Sequence, residues 1–167
     1  VQFGRAGLID ELRRLLDEYQ LDPRQLELEV TEGALMQDLE QSCDKLRQLR
    51  ELGVRVAVDD FGTGYSSLAY LRHFDLDTLK IDRLFIANML DSPRDAAVVS
   101  TIIDLGRNLG LEVIAEGVET LAQREWLIAH DCQVMQGFLV APGLAVEDAL
   151  EFPRSIDWLQ LEHRQAD

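Results

Sequence analysis

The sequence predicts an α/β fold, a partial (β/α)8 TIM-type barrel, and three observations carry that reading. Strand-like runs at 26–31, 54–60, 78–82, 112–117 and 134–140 alternate with segments of helical apolar spacing, the order that builds βα units and a parallel sheet. Each run bears a polar residue toward its C-terminal end, namely Glu29, Asp59, Lys80, Glu116 and Gln136. Barrels collect functional groups at that end from several strands, whereas an open sheet offers one crevice beside its switch point. The five runs also fall short of eight strands, the number in a complete barrel of about 250 residues. N-terminal strands are therefore expected to be missing, and Val1-Gln2-Phe3 reads as the middle of a connection. Residues 1–167 are expected to form a single truncated domain.

Leu8, Leu12, Leu15, Leu16 and Tyr19 recur at helical spacing until Asp22 and Pro23 end the pattern. Leu26, Leu28 and Val30 then alternate with Glu27, Glu29 and Thr31, a strand with one charged face. From Ala34, the residues Leu35, Leu39, Cys43, Leu46, Leu49 and Leu52 mark one long amphipathic helix stopped by Gly53. The strand Val54 to Asp60 follows, then a loop from Phe61 to Ser67 and a short helix through Leu71. Leu79 and Ile81 alternate with Lys80 and Asp82 in the third strand. Ser92, Pro93 and Asp95 open a helix that runs to Gly110. Glu112 to Gly117 is the fourth strand, Thr120 and Gln123 have capping-box spacing before a helix through Ile128, and Val134 to Val140 is the fifth strand. The tail from Val146 through Leu161 is expected to be helical.

A chain of 167 residues with 47% hydrophobic content suits one soluble globular domain. Apolar stretches are strand-sized or broken by charge, so neither a membrane span nor a signal-peptide core is expected, and the location expected is cytoplasmic. Cys43 and Cys132 are scattered, which points to reduced packing residues rather than a disulfide or zinc framework. The formal net charge of −15 argues against DNA or RNA as a partner, because phosphate backbones need clustered Lys and Arg. If this chain binds phosphates, metal cations must mediate.

Alternation decides where the polar groups point. Glu29 shares a face with Glu27, Asp59 with Ala57, while Lys80 lies opposite Leu79 and Ile81 and Glu116 opposite Val113 and Ala115. Asp60 stands at the strand exit, where the backbone can turn. Glu29, Asp59, Asp60 and Glu116 form a hard-oxygen donor set suited to Mg²⁺ or Mn²⁺. Two such ions about 3.5–4 Å apart could share Asp59 and activate water for in-line attack on a phosphoryl group. Lys80 would position that water and offset developing negative charge. An internal ion-pair network among the carboxylates, Lys80 and Asp82 would explain the same pattern, since buried charges need partners in either case.

The run Asp59-Asp60-Phe61-Gly62-Thr63-Gly64-Tyr65-Ser66-Ser67-Leu68 resembles the loop of EAL-domain phosphodiesterases, which hydrolyse the bacterial second messenger cyclic-di-GMP. The resemblance extends through Glu29-Val30-Thr31-Glu32, Leu79-Lys80-Ile81-Asp82, Ala115-Glu116-Gly117-Val118-Glu119 and Gln136-Gly137-Phe138, nearly the whole chain. Several motifs in fixed order are specific where a lone Asp-Asp would not be. The resemblance implies Glu29, Asp59, Asp60 and Glu116 as metal ligands, Lys80 and Glu116 as catalytic groups, and Gln136 on the substrate side. It implies supporting roles for Glu32, which anchors the loop after the second strand, for Glu119, and for Gly62, Thr63 and Gly64 in that loop. It further implies Mg²⁺ or Mn²⁺ as cofactors, cyclic-di-GMP opened to linear pGpG, a homodimer coupled through the loop, and sensory or cyclase domains upstream.

Departures from the family pattern matter as much. The Glu-Ala-Leu signature, the Asn ligand from the following strand and the substrate-binding arginine are not found in this sequence, and Val140-Ala141-Pro142 lacks the polar residue often found before that proline. Hydrolysis by this polypeptide alone is therefore expected to be impaired, and a catalytically inactive cyclic-di-GMP receptor stands as the alternative to the enzyme. His73, His130 and His163 have no partner at metal-ligand or triad spacing, and Trp126 and Trp158 read as packing anchors.

Overall fold

Parallel strands need a crossover between each pair, and the chain supplies helices for that purpose. In the computed structural model, which describes residues 3–62, 71 and 73–151, α1 spans Leu8–Tyr19 and β1 spans Glu27–Thr31. Two helices follow, α2 at Glu32–Met36 and α3 at Leu39–Leu52, then β2 at Arg55–Phe61 and β3 at Thr78–Ile81. Beyond them come α4 at Arg83–Asn88, α5 at Pro93–Leu109, β4 at Glu112–Glu116, α6 at Leu121–Ala129, β5 at Val134–Gln136 and α7 at Val146–Glu151. Among the described residues one sheet carries all the strands, in the order β1-β2-β3-β4-β5, and every neighbouring pair is parallel.

The helix-facing side of that sheet is the core. Val30, Val56, Val58, Leu79, Ile81, Val113 and Ala115 are buried in one cluster with Leu35, Leu46, Leu49, Ile86, Val99, Ile103 and Leu127 from the helices. Each fully buried aliphatic side chain of this size contributes about 1.5–3 kcal/mol. The opposite face is polar in two layers, and this arrangement positions the site. At the N-terminal ends of the strands, Arg55 donates to Thr78 (3.1 Å) and Glu112 (2.7 Å), while Thr78 donates to Glu27 (2.7 Å). The second layer, nearer the C-terminal ends, holds Lys80 and its acids.

Several sequence expectations hold in detail. Ser92 caps α5 with Pro93 in its first turn, and Thr120 with Gln123 forms a complete capping box on α6. Others need correction. The single helix expected from Ala34 is two, because Asp38 accepts from the Gln41 N–H at 3.0 Å and starts a new helix. Asp82 does not extend β3: its carboxylate accepts from the Leu84 N–H at 2.7 Å and caps α4, a helix the periodicity did not reveal. The fifth strand stops at Gln136 rather than Val140, since the Val140 and Ala141 N–H groups turn back to the Gly137 carbonyl. The short helix expected before Leu71, Thr63 and Gly64 of the loop, and the tail beyond Glu151 lie outside the described residues.

Cys43 and Cys132 are both free, as expected, and burial pushes the Cys132 thiol up to about 11. Among the described residues no helix is long and apolar enough to cross a membrane. Gly137 permits a close approach: a Cβ there would stand 2.2 Å from the Val118 carbonyl oxygen and 2.3 Å from its nitrogen. Backbone cannot swing aside as a side chain can. Gly137→Ala is expected to destabilise the fold by about 1–3 kcal/mol, the usual cost of overpacking. Urea unfolding would measure it, and an unchanged midpoint would mean that the Val118 and Gly137 segments separate freely.

Candidate active site

Lys80 anchors the site. Alternation in β3 turns it away from the aliphatic core, and with its side chain only 4% exposed its ammonium needs partners. Three carboxylates supply them: Nζ lies 2.5 Å from Oε1 of Glu116, 2.6 Å from Oε1 of Glu29 and 3.5 Å from Oδ1 of Asp59. These acids come from β4, β1 and β2, so four successive strands each give one group. From β5, Gln136 donates its Nε2 to Glu116 Oε1 at 3.2 Å, as the Glu116 and Gln136 register allows. Burial works to lower the Lys80 pKa, but hydrogen bonds to Glu116 and Glu29 and the charges of Glu116 and Asp59 outweigh it and leave it raised. The amine therefore stays protonated across the neutral range.

Asp59 and Asp60 occupy a β-bulge. Val58 pairs with Leu79 and Phe61 with Ile81, so two residues of β2 face the single Lys80 of β3. Asp60 adopts a left-handed conformation, φ 55°, which costs about 1–2 kcal/mol for a residue with a Cβ. The strand continues through it to Phe61 instead of ending there. A hydrogen bond with Asp82 raises the Asp60 pKa, with burial and the charges of Asp59, Asp82 and Glu116 acting in the same direction. Glu32 is buried at the start of α2 and accepts from the Gly62 N–H at 3.3 Å, tying the loop after β2 to the segment after β1. Glu119 is exposed and lies with Glu116, Gln136 and Arg83 around a cavity of about 400 Å³.

The described residues fit a divalent cation by donor chemistry. Every candidate ligand is a carboxylate oxygen, and Asp59 Oδ1 is buried without a hydrogen bond, its distance to Lys80 being an ion-pair contact only. Among the described residues no group of three or more acidic, His or Cys side chains already forms a cation cage, for the carboxylates lean on the ammonium instead. The larger cavity, about 690 Å³, lies at the other end of the sheet, where its arginines are already paired, Arg50 with Asp75 and Arg55 with Glu112.

Sequence reasoning brought Glu29, Asp59, Lys80, Glu116 and Gln136 to one place, and the structure puts them there. It did not foresee the Arg55 layer, although alternation from Asp59 through Ala57 marks Arg55 as sharing their face.

Three comparisons bear on this arrangement. The family model described as the EAL domain matches residues 1–143. The bifunctional diguanylate cyclase/cyclic di-GMP phosphodiesterase MucR of Pseudomonas aeruginosa is 47% identical over 150 residues, covering 90% of this chain and 22% of that protein. The chain spans about a fifth of the length of such curated relatives. Among solved structures, the PaMucR phosphodiesterase in complex with c-di-GMP superimposes with a TM-score of 0.86 at 47% identity, covering 89% of this chain and 60% of that one. A manganese and cyclic-di-GMP complex of BlrP1 from Klebsiella pneumoniae gives 0.77 at 33% identity, covering 84% of this chain and 36% of that one.

Proposed function

The chain belongs to the EAL domain family, and from that footing we propose that it carries the metal-holding and water-positioning part of a phosphodiesterase that opens cyclic-di-GMP to linear pGpG. The observation that carries the reading is the buried Lys80 ammonium ringed by Glu29, Asp59 and Glu116 from separate strands. We further take residues 1–167 as a single truncated EAL-type domain, in keeping with five strands among the described residues against the eight of a complete barrel.

Glu29, Asp59, Asp60 and Glu116 would hold two divalent ions, Mg²⁺ or Mn²⁺, and manganese is the metal in the BlrP1 complex. When bound, such ions polarise a phosphoryl oxygen and lower the pKa of water for in-line attack. The remaining work falls to the chain. With the carboxylates engaged by cations, the Lys80 donors would be free to orient the attacking water and to face the charge that gathers on the phosphoryl oxygens. Asp60 would act as a ligand only in its deprotonated form, which its raised pKa makes harder to reach than at an ordinary carboxyl. Gln136, held through its Nε2 by Glu116, keeps its amide oxygen for the substrate. We place the domain in the cytoplasm as a homodimer coupled through the loop after β2, with sensory or cyclase domains upstream, and the similar MucR is itself described as a bifunctional diguanylate cyclase and phosphodiesterase.

Incubating the full-length protein with cyclic-di-GMP and Mn²⁺ or Mg²⁺ tests the proposal, with pGpG as the expected product. Metal-independent binding without product would mark a receptor instead. The polypeptide 1–167 by itself is expected to turn over weakly or not at all, because the Glu-Ala-Leu signature and its partner ligands are not in its sequence. Robust Mg²⁺-dependent turnover by the isolated polypeptide would show that the ligands above suffice.

A further inference from the structure

Behind the acid ring, one buried amide joins the segments that leave β3 and β4. Gln123, 6% exposed on α6, accepts at Oε1 from the N–H groups of Glu119 (2.8 Å) and Thr120 (3.0 Å). Those bonds complete the capping box. Its Nε2 does something the cap does not require: it donates to the Ile86 carbonyl at 3.2 Å, across to α4. Ile86 is among the last four residues of that six-residue helix, where carbonyls run out of intrahelical partners. A second contact fixes the same two segments, since a Cβ on Gly117 would stand 2.6 Å from the Arg83 Cβ.

These segments carry the chemistry. The Asp82 cap of α4 follows Lys80 by two residues, and Gly117 directly follows Glu116. Lys80 and Glu116, 2.5 Å apart, are thus carried on pieces of chain that Gln123 binds to each other. We infer that Gln123 is a positioning residue that holds the exits of β3 and β4 at a fixed separation, so that the amine and the carboxylate meet substrate in register. The catalytic consequence rests on the phosphodiesterase reading above, whereas the coupling of the two segments does not.

Gln123→Glu separates this role from simple capping. Glutamate keeps acceptor oxygens for the Glu119 and Thr120 N–H groups but has no donor for Ile86 and sets a carboxylate against its carbonyl. In the full-length protein with Mn²⁺, kcat is expected to fall about 10–100-fold, the range seen when a residue that orients a ligand is lost, with KM for cyclic-di-GMP near wild type. Amide hydrogen exchange should quicken together in 83–88 and 117–120. Leu16→Ala, a core change on α1 remote from these segments, serves as the stability control and should lower the melting temperature while sparing kcat and that exchange. Wild-type kcat and exchange in Gln123→Glu would overturn the inference, as would an equal loss of kcat in Leu16→Ala. A wild-type protein without hydrolysis would sink the function reading instead, and the exchange measurement would still decide the coupling.

Discussion

Asp59→Asn in the full-length protein is expected to lower kcat by about 100-fold or more, the loss typical when a group that stabilises transition-state charge is removed. The substitution keeps the volume of the side chain and removes only its charge. Folding should survive it, because Lys80 retains its two shorter contacts, Glu116 at 2.5 Å and Glu29 at 2.6 Å, and loses the one at 3.5 Å. What the substitution removes is the oxygen best suited to a cation, since Asp59 Oδ1 is buried and accepts no hydrogen bond. An amide in that place is a far weaker ligand for a hard divalent ion. Mn²⁺ should then raise the melting temperature of the wild type but hardly that of the variant, because a ligand stabilises the fold only by binding it in preference to the unfolded chain. Turnover that survives Asp59→Asn in saturating Mn²⁺ would remove Asp59 from the metal set.

Residues legible in the sequence share a physical feature. Glu29, Lys80 and Glu116 sit in regular strands, where a period of two fixes the face of every side chain once one apolar neighbour is known. Their convergence follows from consecutive parallel strands with the same polarity, which pairing in chain order supplies. Asp60 was misplaced because a bulge is a property of two strands at once: only the pairing of Phe61 with Ile81 shows an extra residue in β2. The α4 helix escaped because six residues are too few for a helical period, and its start is set by the local Asp82 cap. Gln123 was legible as half of a capping box, but its third bond reaches a backbone carbonyl 37 residues away, which composition and spacing do not encode. The division of α2 from α3 was hidden for the opposite reason. Leu35, Leu46 and Leu49 are all fully buried on both sides of the break, so the apolar stripe runs on while the backbone does not.

Lys80→Met tests the other half of the site, and its effect should appear in stability as well as in rate. At neutral pH without added metal the variant is expected to lose about 3–5 kcal/mol, the cost of stripping one partner from a buried ion pair. Glu116 and Asp59, with side chains 16% and 24% exposed, would face each other with no cation between them. Glu29, at 52%, can turn to water and adds least. In the wild type the folded pKa of Lys80 is raised above its ordinary 10.5, so its contribution is complete below that value and fades only as pH climbs through the raised one. The wild-type gain is thus constant through the neutral range, where its carboxylate partners keep their charge. The variant behaves otherwise, because carboxylates deprived of a cation take up protons more readily, so its deficit should shrink as pH falls into the carboxylate range. Mn²⁺ should shrink it too, by restoring positive charge between the acids. It should not restore turnover, which we expect to stay about 100-fold or more below wild type, since a bound cation cannot donate a hydrogen bond to the attacking water. Urea unfolding across pH, with and without Mn²⁺, separates the two roles. A deficit indifferent to both acid and metal would reduce Lys80 to a packing stem, and full turnover in Mn²⁺ would take it out of the reaction.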